Sequence, residues 1–395
     1  MLYKMSEKFF DEQPSPSEIL RKIEGFTGWL EINLDNLGYN LQMIKETVGV
    51  EVMTVVKNNA YGHGLIPVVA FLEQSGVKWV MVAKFREAVE LRNREFEVDI
   101  LNMDVLFTDD QYEQVVEKGI TQTVYTLKTA ERLSRAAVSL NKTAKFFVKV
   151  DTGLNRVGVK SDEAVDLILK INELQNLELV GIFSTFMQSP IHDNLMLDRM
   201  IEVAERVKEK GIKVPYKSIA SSDAIMHKPE AWLNMVRPGI ALYGIYPEEK
   251  DRDTSLKLKQ SLSMKGRLEY VKTVEKGESV TYFGRFTAPE QMQVGTLHLG
   301  FYDGIPREMA NKGKVLVKGE YRSTIGSVSL NHYLFDLRGI VAEKGEVVTV
   351  IGENGPNDIY NTAKTAGWMV YSLLNHLNPN IPRVYFSKGT PIALT

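Results

Sequence analysis

The sequence predicts an α/β protein: a (β/α)8 TIM-type barrel followed by a C-terminal all-β domain. Three observations predict it. Along the first two thirds, apolar runs alternate with helix-length stretches, an order that demands a parallel sheet. Not counting an initial run at Trp29–Leu34, eight such runs occupy roughly 215 residues, which fits a closed barrel. After about Ser261 the runs follow one another without intervening helices, separated by turns such as Glu275-Lys276-Gly277-Glu278. A doubly wound open sheet is the fallback. No Gly-rich dinucleotide fingerprint follows any of the strands, which weakens it.

Residues 1–28 read as an N-terminal extension, polar at Ser6-Glu7-Lys8 and Pro14-Ser15-Pro16-Ser17, with a short helix from Ser17 to Ile23. The barrel domain spans 29–261, although its first run, 29–34, is open to pairing into the β domain. Leu37, Leu41, Ile44 and Val48 then recur at helical spacing. The strand candidates are Val52–Val56, Trp79–Val82, Asp99–Leu101, Thr121–Tyr125, Phe146–Val150, Leu179–Phe183, Lys217–Ala220 and Gly239–Tyr243. Helical stretches between them include Leu65–Gln74, Glu87–Arg94, Leu127–Leu140, Asp162–Leu174 and Leu195–Lys210. The β domain, 262–395, holds runs at Gly266–Val274, Glu278–Phe283, Gln293–Leu299, Lys314–Val317 and Glu346–Ile351, with one helix over Thr362–Leu377.

Composition narrows the function classes. Charged residues are 25% of the chain and the formal net charge is −2. That argues against nucleic acid or an anionic membrane as the main partner. There is no cysteine, so neither disulfides nor thiolate chemistry is available. No apolar run approaches the ~20 residues of a membrane helix, and the N-terminus lacks a signal-peptide apolar region. The expectation is a cytoplasmic protein.

One stretch organises the chemistry: Val55-Val56-Lys57-Asn58-Asn59-Ala60-Tyr61-Gly62-His63-Gly64. An apolar strand ends on a lysine, a polar turn with two glycines follows, and a helix begins. Strand alternation puts Met53, Val55 and Lys57 on one face. A lysine there either lies past the strand end in solvent, or is partly desolvated. In the second case its amine has a depressed pKa and becomes nucleophilic toward a carbonyl.

The ten residues closely resemble the cofactor-lysine motif of the alanine racemase family, which typically reads V-V-K-A-N-A-Y-G-H-G. Only Asn58 departs from it. The resemblance runs from about Trp29 to Phe386. It implies pyridoxal 5'-phosphate as cofactor, Lys57 as its Schiff-base lysine and Tyr61 as a phosphate ligand. It also implies a homodimer with shared active sites and a small amino-acid substrate. A second motif, Asn234-Met235-Val236-Arg237-Pro238-Gly239-Ile240-Ala241-Leu242-Tyr243-Gly244, implies Arg237 at the pyridine nitrogen, with Ser222, Gly239 and Ile240 at the phosphate. An arginine there leaves the ring nitrogen unprotonated and the ring a weaker electron sink. In Lys149-Val150-Asp151-Thr152-Gly153-Leu154-Asn155-Arg156, the resemblance implies that Arg156 holds the substrate carboxylate. Lys149 matches a lysine that some members carry as an N-carboxylate. Leu330 falls at a substrate-binding position, and no metal ligand is assigned.

The family's second base does not match. A tyrosine is expected in G-Y-A-D-G, where this chain has Gly300-Phe301-Tyr302-Asp303-Gly304. Thr185 stands for the histidine that usually supports it, Pro379 for a second phosphate tyrosine, and Ser221 for an asparagine. Ser329-Leu330-Asn331-His332 replaces C-M-D-Q. Tyr302 is taken as the second catalytic residue, with His332 as the other candidate. The expected activity is interconversion of L- and D-alanine for cell-wall precursors. The alternatives are a non-catalytic or impaired cofactor-binding homologue, and a racemase for another amino acid.

Overall fold

The computed structural model describes residues 5–395; residues 1–4 of the predicted extension lie outside the described residues. Eight parallel strands form the barrel: Glu51–Val55, Trp79–Val82, Asp99–Asn102, Thr121–Val124, Ala144–Asp151, Leu177–Phe183, Tyr216–Ser218 and Met235–Val236. The first seven pair each with the next, and Met235–Val236 pairs back onto Glu51–Val55. A Ser221–Arg237 bridge and the Arg237 N–H bond to the Ala220 carbonyl close the last seam. The strands are buried on both faces, which explains their near-continuous Val, Ile, Met and Phe content.

The second layer is a nine-stranded sheet. Its order is Met292–Leu297, Tyr333–Asp336, Glu320–Ile325, Lys314–Val317, Val347–Ile351, Leu262–Val274, Gly28–Asn33, Arg383–Ser387 and Thr390–Leu394. Met292–Leu297 also pairs with Leu262–Val274, so the sheet curls back on itself. The first apolar run therefore belongs to this sheet. Gly28–Asn33 lies antiparallel to Leu262–Val274 and parallel to Arg383–Ser387. The extension's helix covers Pro16–Glu24, started by a Ser15–Glu18 capping box with proline in its first turn. Its Ile19 and Ile23 pack on Trp29 and Val384 at the same sheet.

Three predicted elements differ. Gly239–Tyr243 is not a strand: backbone pairing ends with Arg237 and the Pro238 carbonyl, and Ile240–Tyr243 is a tight helical turn. Pro238 has no N–H to offer a ladder, and the Gly239 and Ala241 amides turn to the Ser222 hydroxyl instead of a neighbouring strand. Glu278–Phe283 shrinks to the strand Ser279–Val280, because Thr281 and Phe283 take left-handed backbone angles. The helix over Thr362–Leu377 is two, Ile359–Ala366 and Val370–His376, broken where Gly367 adopts φ 72° as a C-terminal cap.

The turn after the first barrel strand is unusual. Asn58, Asn59, Ala60 and Tyr61 all have φ between 52° and 56°, one turn of left-handed helix. Such a turn costs an ordinary L-residue about 1–2 kcal/mol per position, less for asparagine. Hydrogen bonds hold it there. Buried Glu87 accepts from the Asn59 amide, and the Asn59 side chain accepts from the Leu65 amide. Fully buried His63 lies with Nδ1 3.1 Å from the Ala60 and Tyr61 carbonyls, so Nδ1 carries the proton and donates.

Burial pushes the His63 pKa down to about 3 from the usual 6.5, against the smaller raising effect of those two carbonyls. Between these values the unfolded chain binds a proton that the folded chain refuses. Stability from this group is thus complete above about pH 6.5 and declines on acidification, by roughly 3 kcal/mol at about pH 4. Thermal melts followed by circular dichroism should show this fall in the natural chain and a shallower one in His63→Gln. Parallel slopes in the two chains would assign the acid sensitivity elsewhere.

Candidate active site

At the C-terminal end of the barrel lies a cavity of about 210 Å³. Its lining includes Lys57, Tyr61, Arg156, Ser222, Arg237, Gly239 and Ile240, which the sequence puts on four separate segments. Strand order explains the meeting: Lys57 follows the first strand, Ser222 the seventh, and Arg237 to Ile240 the eighth, which are neighbours around the closed barrel. Active sites in this architecture sit at that end.

The cavity is strongly basic. Among the described residues, no aspartate or glutamate lines it. The Lys57 amine is depressed by burial first and then by the Arg156 charge; Glu87 opposes this, and Arg237 adds a smaller downward push. Arg237 is buried, donates to the Ser218 hydroxyl and the Ser184 carbonyl, and lies 5.2 Å from the Phe183 ring centroid. Burial lowers its pKa to about 9, so it stays charged at neutral pH. Arg156 is exposed at the mouth, and no hydrogen bond or ion pair engages its guanidinium among the described residues. Lys149 stands just behind: its Nζ donates to Thr185 Oγ1 at 2.8 Å and sits 4.6 Å from the Phe183 centroid. Burial, then Arg237 and Arg156, hold its amine well below the ordinary lysine range.

At the other end the groups suit an anion. The Ser222 hydroxyl accepts from the Gly239 and Ala241 amides, which leaves its own proton to donate. A side chain at Gly239 would put its Cβ 2.9 Å from the Tyr61 hydroxyl, so glycine keeps this wall thin. Burial raises the Tyr61 pKa, and the phenol remains neutral. A further tyrosine arrives from the other domain. Tyr371, on the helix Val370–His376, lines the cavity with its ring centroid 6.3 Å from that of Tyr61. Its hydroxyl has no hydrogen-bond partner among the described residues, and burial followed by the charges of Asp223 and Asp251 pushes its pKa up to about 12. Sequence reasoning missed Tyr371, looking instead at Pro379. A tyrosine near the start of a C-terminal helix carries no local signal that it reaches the barrel mouth.

Tyr302 and Leu330 do not reach this cavity. Phe301–Asp303 forms a single helical turn in the β domain, where the Phe301 and Tyr302 amides bond to the Ser329 and Leu330 carbonyls. The two segments thus form one surface patch with Phe301 40%, Tyr302 57% and Leu330 50% exposed. Phe301, Leu330, Asn331 and His332 line a separate groove beside Tyr282 and Phe283. Tyr302 faces outside that groove. Thr185, at the position of the family's histidine, is taken up by Lys149.

The comparisons agree with this architecture. Residues 32–247 match the family described as alanine racemase, N-terminal domain, and residues 261–385 match alanine racemase, C-terminal domain. The chain is 34% identical over 379 residues to an alanine racemase of Clostridium tetani, covering 93% of this chain and 97% of that one. An alanine racemase of Methanococcus maripaludis is 33% identical, with 90% and 98% covered. Among solved structures, alanine racemase from Clostridium difficile 630 superposes with a TM-score of 0.87 at 31% identity, covering 94% and 98%. A histidine racemase from Leuconostoc mesenteroides subsp. sake reaches 0.83 at 25% identity, covering 92% and 99%. With two family matches spanning both domains and relatives aligned end to end, the chain belongs to the alanine racemase family.

Proposed function

We propose that this chain is a pyridoxal 5'-phosphate-dependent racemase that interconverts L- and D-alanine. The observation that carries the proposal is a cavity ringed by Lys57, Arg156 and Arg237, backed by Lys149, with no acid of its own among the described residues. A basic lining without an acid of its own suits anions. A cofactor phosphate at one end and a substrate carboxylate at the other supply them. Tyr61, Ser222, the Ile240 amide and Tyr371 would hold the phosphate, with Gly239 keeping the approach open. Arg237 would face the ring nitrogen and, being charged, keep it unprotonated. Arg156 would take the carboxylate as a two-pronged donor. When bound, the cofactor supplies a conjugated system that acidifies the substrate Cα–H. Lys57 Nζ would anchor the cofactor and would take or return the Cα proton on one face, a task its depressed pKa suits.

For the opposite face we propose Tyr302 of a second copy. Phe301 cannot carry a proton. Tyr302 is the more exposed of the two, and its hydroxyl is free of hydrogen bonds among the described residues, whereas His332 lies close to Glu269 and His298. The exposed aromatic patch of Phe301, Tyr302, Tyr282 and Phe283 supports a homodimer in which this face covers the partner's cavity. Light scattering of the cofactor-loaded protein should give twice the mass of the chain, 44.6 kDa. A fully active monomer would sink the shared-site arrangement.

The activity test is a chiral assay of L- to D-alanine conversion by purified protein. Borohydride reduction should fix the cofactor on Lys57 and fail to do so in Lys57→Ala. Tyr302→Phe should slow deuterium wash-in at Cα of one enantiomer by roughly 10²–10⁴-fold and leave the other enantiomer's exchange nearly intact. Fast, symmetric exchange that survives this change would remove Tyr302 from the mechanism. Absent turnover with the cofactor still fixed on Lys57 would favour the non-catalytic reading, which rests on Phe301 and Thr185.

We also propose that Lys149 is N-carboxylated. The deprotonated form of a buried amine, which its lowered pKa favours, adds CO2 and releases one proton, and the new carboxylate would lie near Arg156 and Arg237, whose charges depress the lysine. Protein equilibrated with ¹³C-bicarbonate should show one carbamate carbon resonance that vanishes in Lys149→Ala. A spectrum identical in both chains would rule the modification out.

A further inference from the structure

We propose that Glu269, His298 and His332 form a binding site for a divalent transition cation of the zinc class. This inference does not depend on the racemase reading. The three residues come from adjacent strands of the C-terminal sheet. Glu269 sits at the irregularity between Leu268 and Tyr270, His298 directly follows Met292–Leu297, and His332 directly precedes Tyr333–Asp336. Leu297 pairs with both Leu268 and Tyr333, so the sheet itself sets the spacing. Residues displaced at such a bulge are re-aimed relative to the regular strand.

The geometry fits a small tetrahedral ion. Oε2 of Glu269 lies 3.5 Å from His298 Nδ1 and 3.5 Å from His332 Nε2. All three ligand atoms fall within 4.8 Å of one another. Zinc bonds of about 2.1 Å give tetrahedral edges of about 3.4 Å, and two histidines with one carboxylate are a regular donor set for it. Among the described residues, Glu269 is the only side chain that either ring faces as an ion-pair partner, at 3.5 Å, so a cation entering between them takes the place of these two contacts. In the single chain the side chains are 42–46% exposed, which leaves an approach and a fourth position for water or a partner's group. The contrast with Asp223, His227 and Asp251 is instructive. There the His227 Nε2 hydrogen-bonds Asp251 directly at 2.8 Å, and the other Asp251 oxygen accepts from the Glu248 amide. That cluster is closed by short hydrogen bonds, whereas the first holds its ligand atoms 3.5 Å apart.

Cobalt(II) is a suitable probe because its tetrahedral complexes absorb in the visible. The cofactor-loaded protein should bind one Co(II) per chain with ligand-field bands, and Zn(II) should displace it. Calorimetric titration with Zn(II) should weaken by at least about tenfold in His298→Ala and in Glu269→Gln. His376→Ala, which removes a surface imidazole elsewhere, should bind as the natural chain does. Circular dichroism melts establish that each variant is folded, and His298→Gln serves if the alanine variant is not. No visible bands, or zinc binding that survives both His298→Ala and Glu269→Gln, overturns the assignment.

Discussion

Positive charge held without a resident counter-charge is the constraint on which the site depends. Arg237 and Lys149 are buried, and neither meets a carboxylate in the cavity. The fold tolerates them by other means. Arg237 is wired to the Ser218 hydroxyl and the Ser184 carbonyl, both side chains lie against the Phe183 ring, and the Lys149 amine, held well below the ordinary lysine range by burial, donates to Thr185. Burying cations this way is unfavourable for the empty chain and favourable once anions arrive. The arrangement is therefore a device for binding, and the surrounding barrel supplies the rigidity that keeps the cations from relaxing apart.

The lysine turn is held from two sides. Within the barrel, Glu87 and His63 satisfy the amides and carbonyls that the left-handed turn exposes. From the β domain, Arg383 donates to the Gly62 carbonyl and Tyr385 to the His63 carbonyl. A side chain at Gly62 would meet the Leu374 carbonyl at 2.6 Å, so the last helix presses directly on the turn. The same helix carries Tyr371 into the cavity, and just beyond it the Asn378 amide bonds to the Asp303 carbonyl. One C-terminal segment thus touches the Lys57 turn and the Phe301–Asp303 patch together.

Asn58 illustrates how a departure from a motif can be physically neutral or favourable. The family usually has alanine there, yet this backbone has φ 56°, a region that asparagine enters more readily than alanine. Phe301 is a departure of another kind, since it removes a titratable group. Its consequences reach beyond position 301, because Thr185 is committed to Lys149 rather than left to orient a phenol.

What the sequence by itself determined were the features set by local pattern. Most of the barrel strands were legible because buried parallel strands are continuous apolar runs, and Leu65–Gln74 emerged with the bounds read from its periodicity. Lys57, Arg156 and Arg237 were legible because each stands in a dense motif beside such a run, and the motifs resemble those of the family. Other features were decided by tertiary structure alone. Gly239–Tyr243 has a strand's composition, but Ser222 captures its amides across the barrel seam. Tyr371 enters the cavity only because the two domains pack together. Glu269, His298 and His332 lie on separate strands, and the pairing of Leu297 with Leu268 and Tyr333 brings them within reach. Local periodicity records which face of an element is buried; which distant element it meets is settled by sheet closure and domain packing, and those leave no mark at fixed spacing.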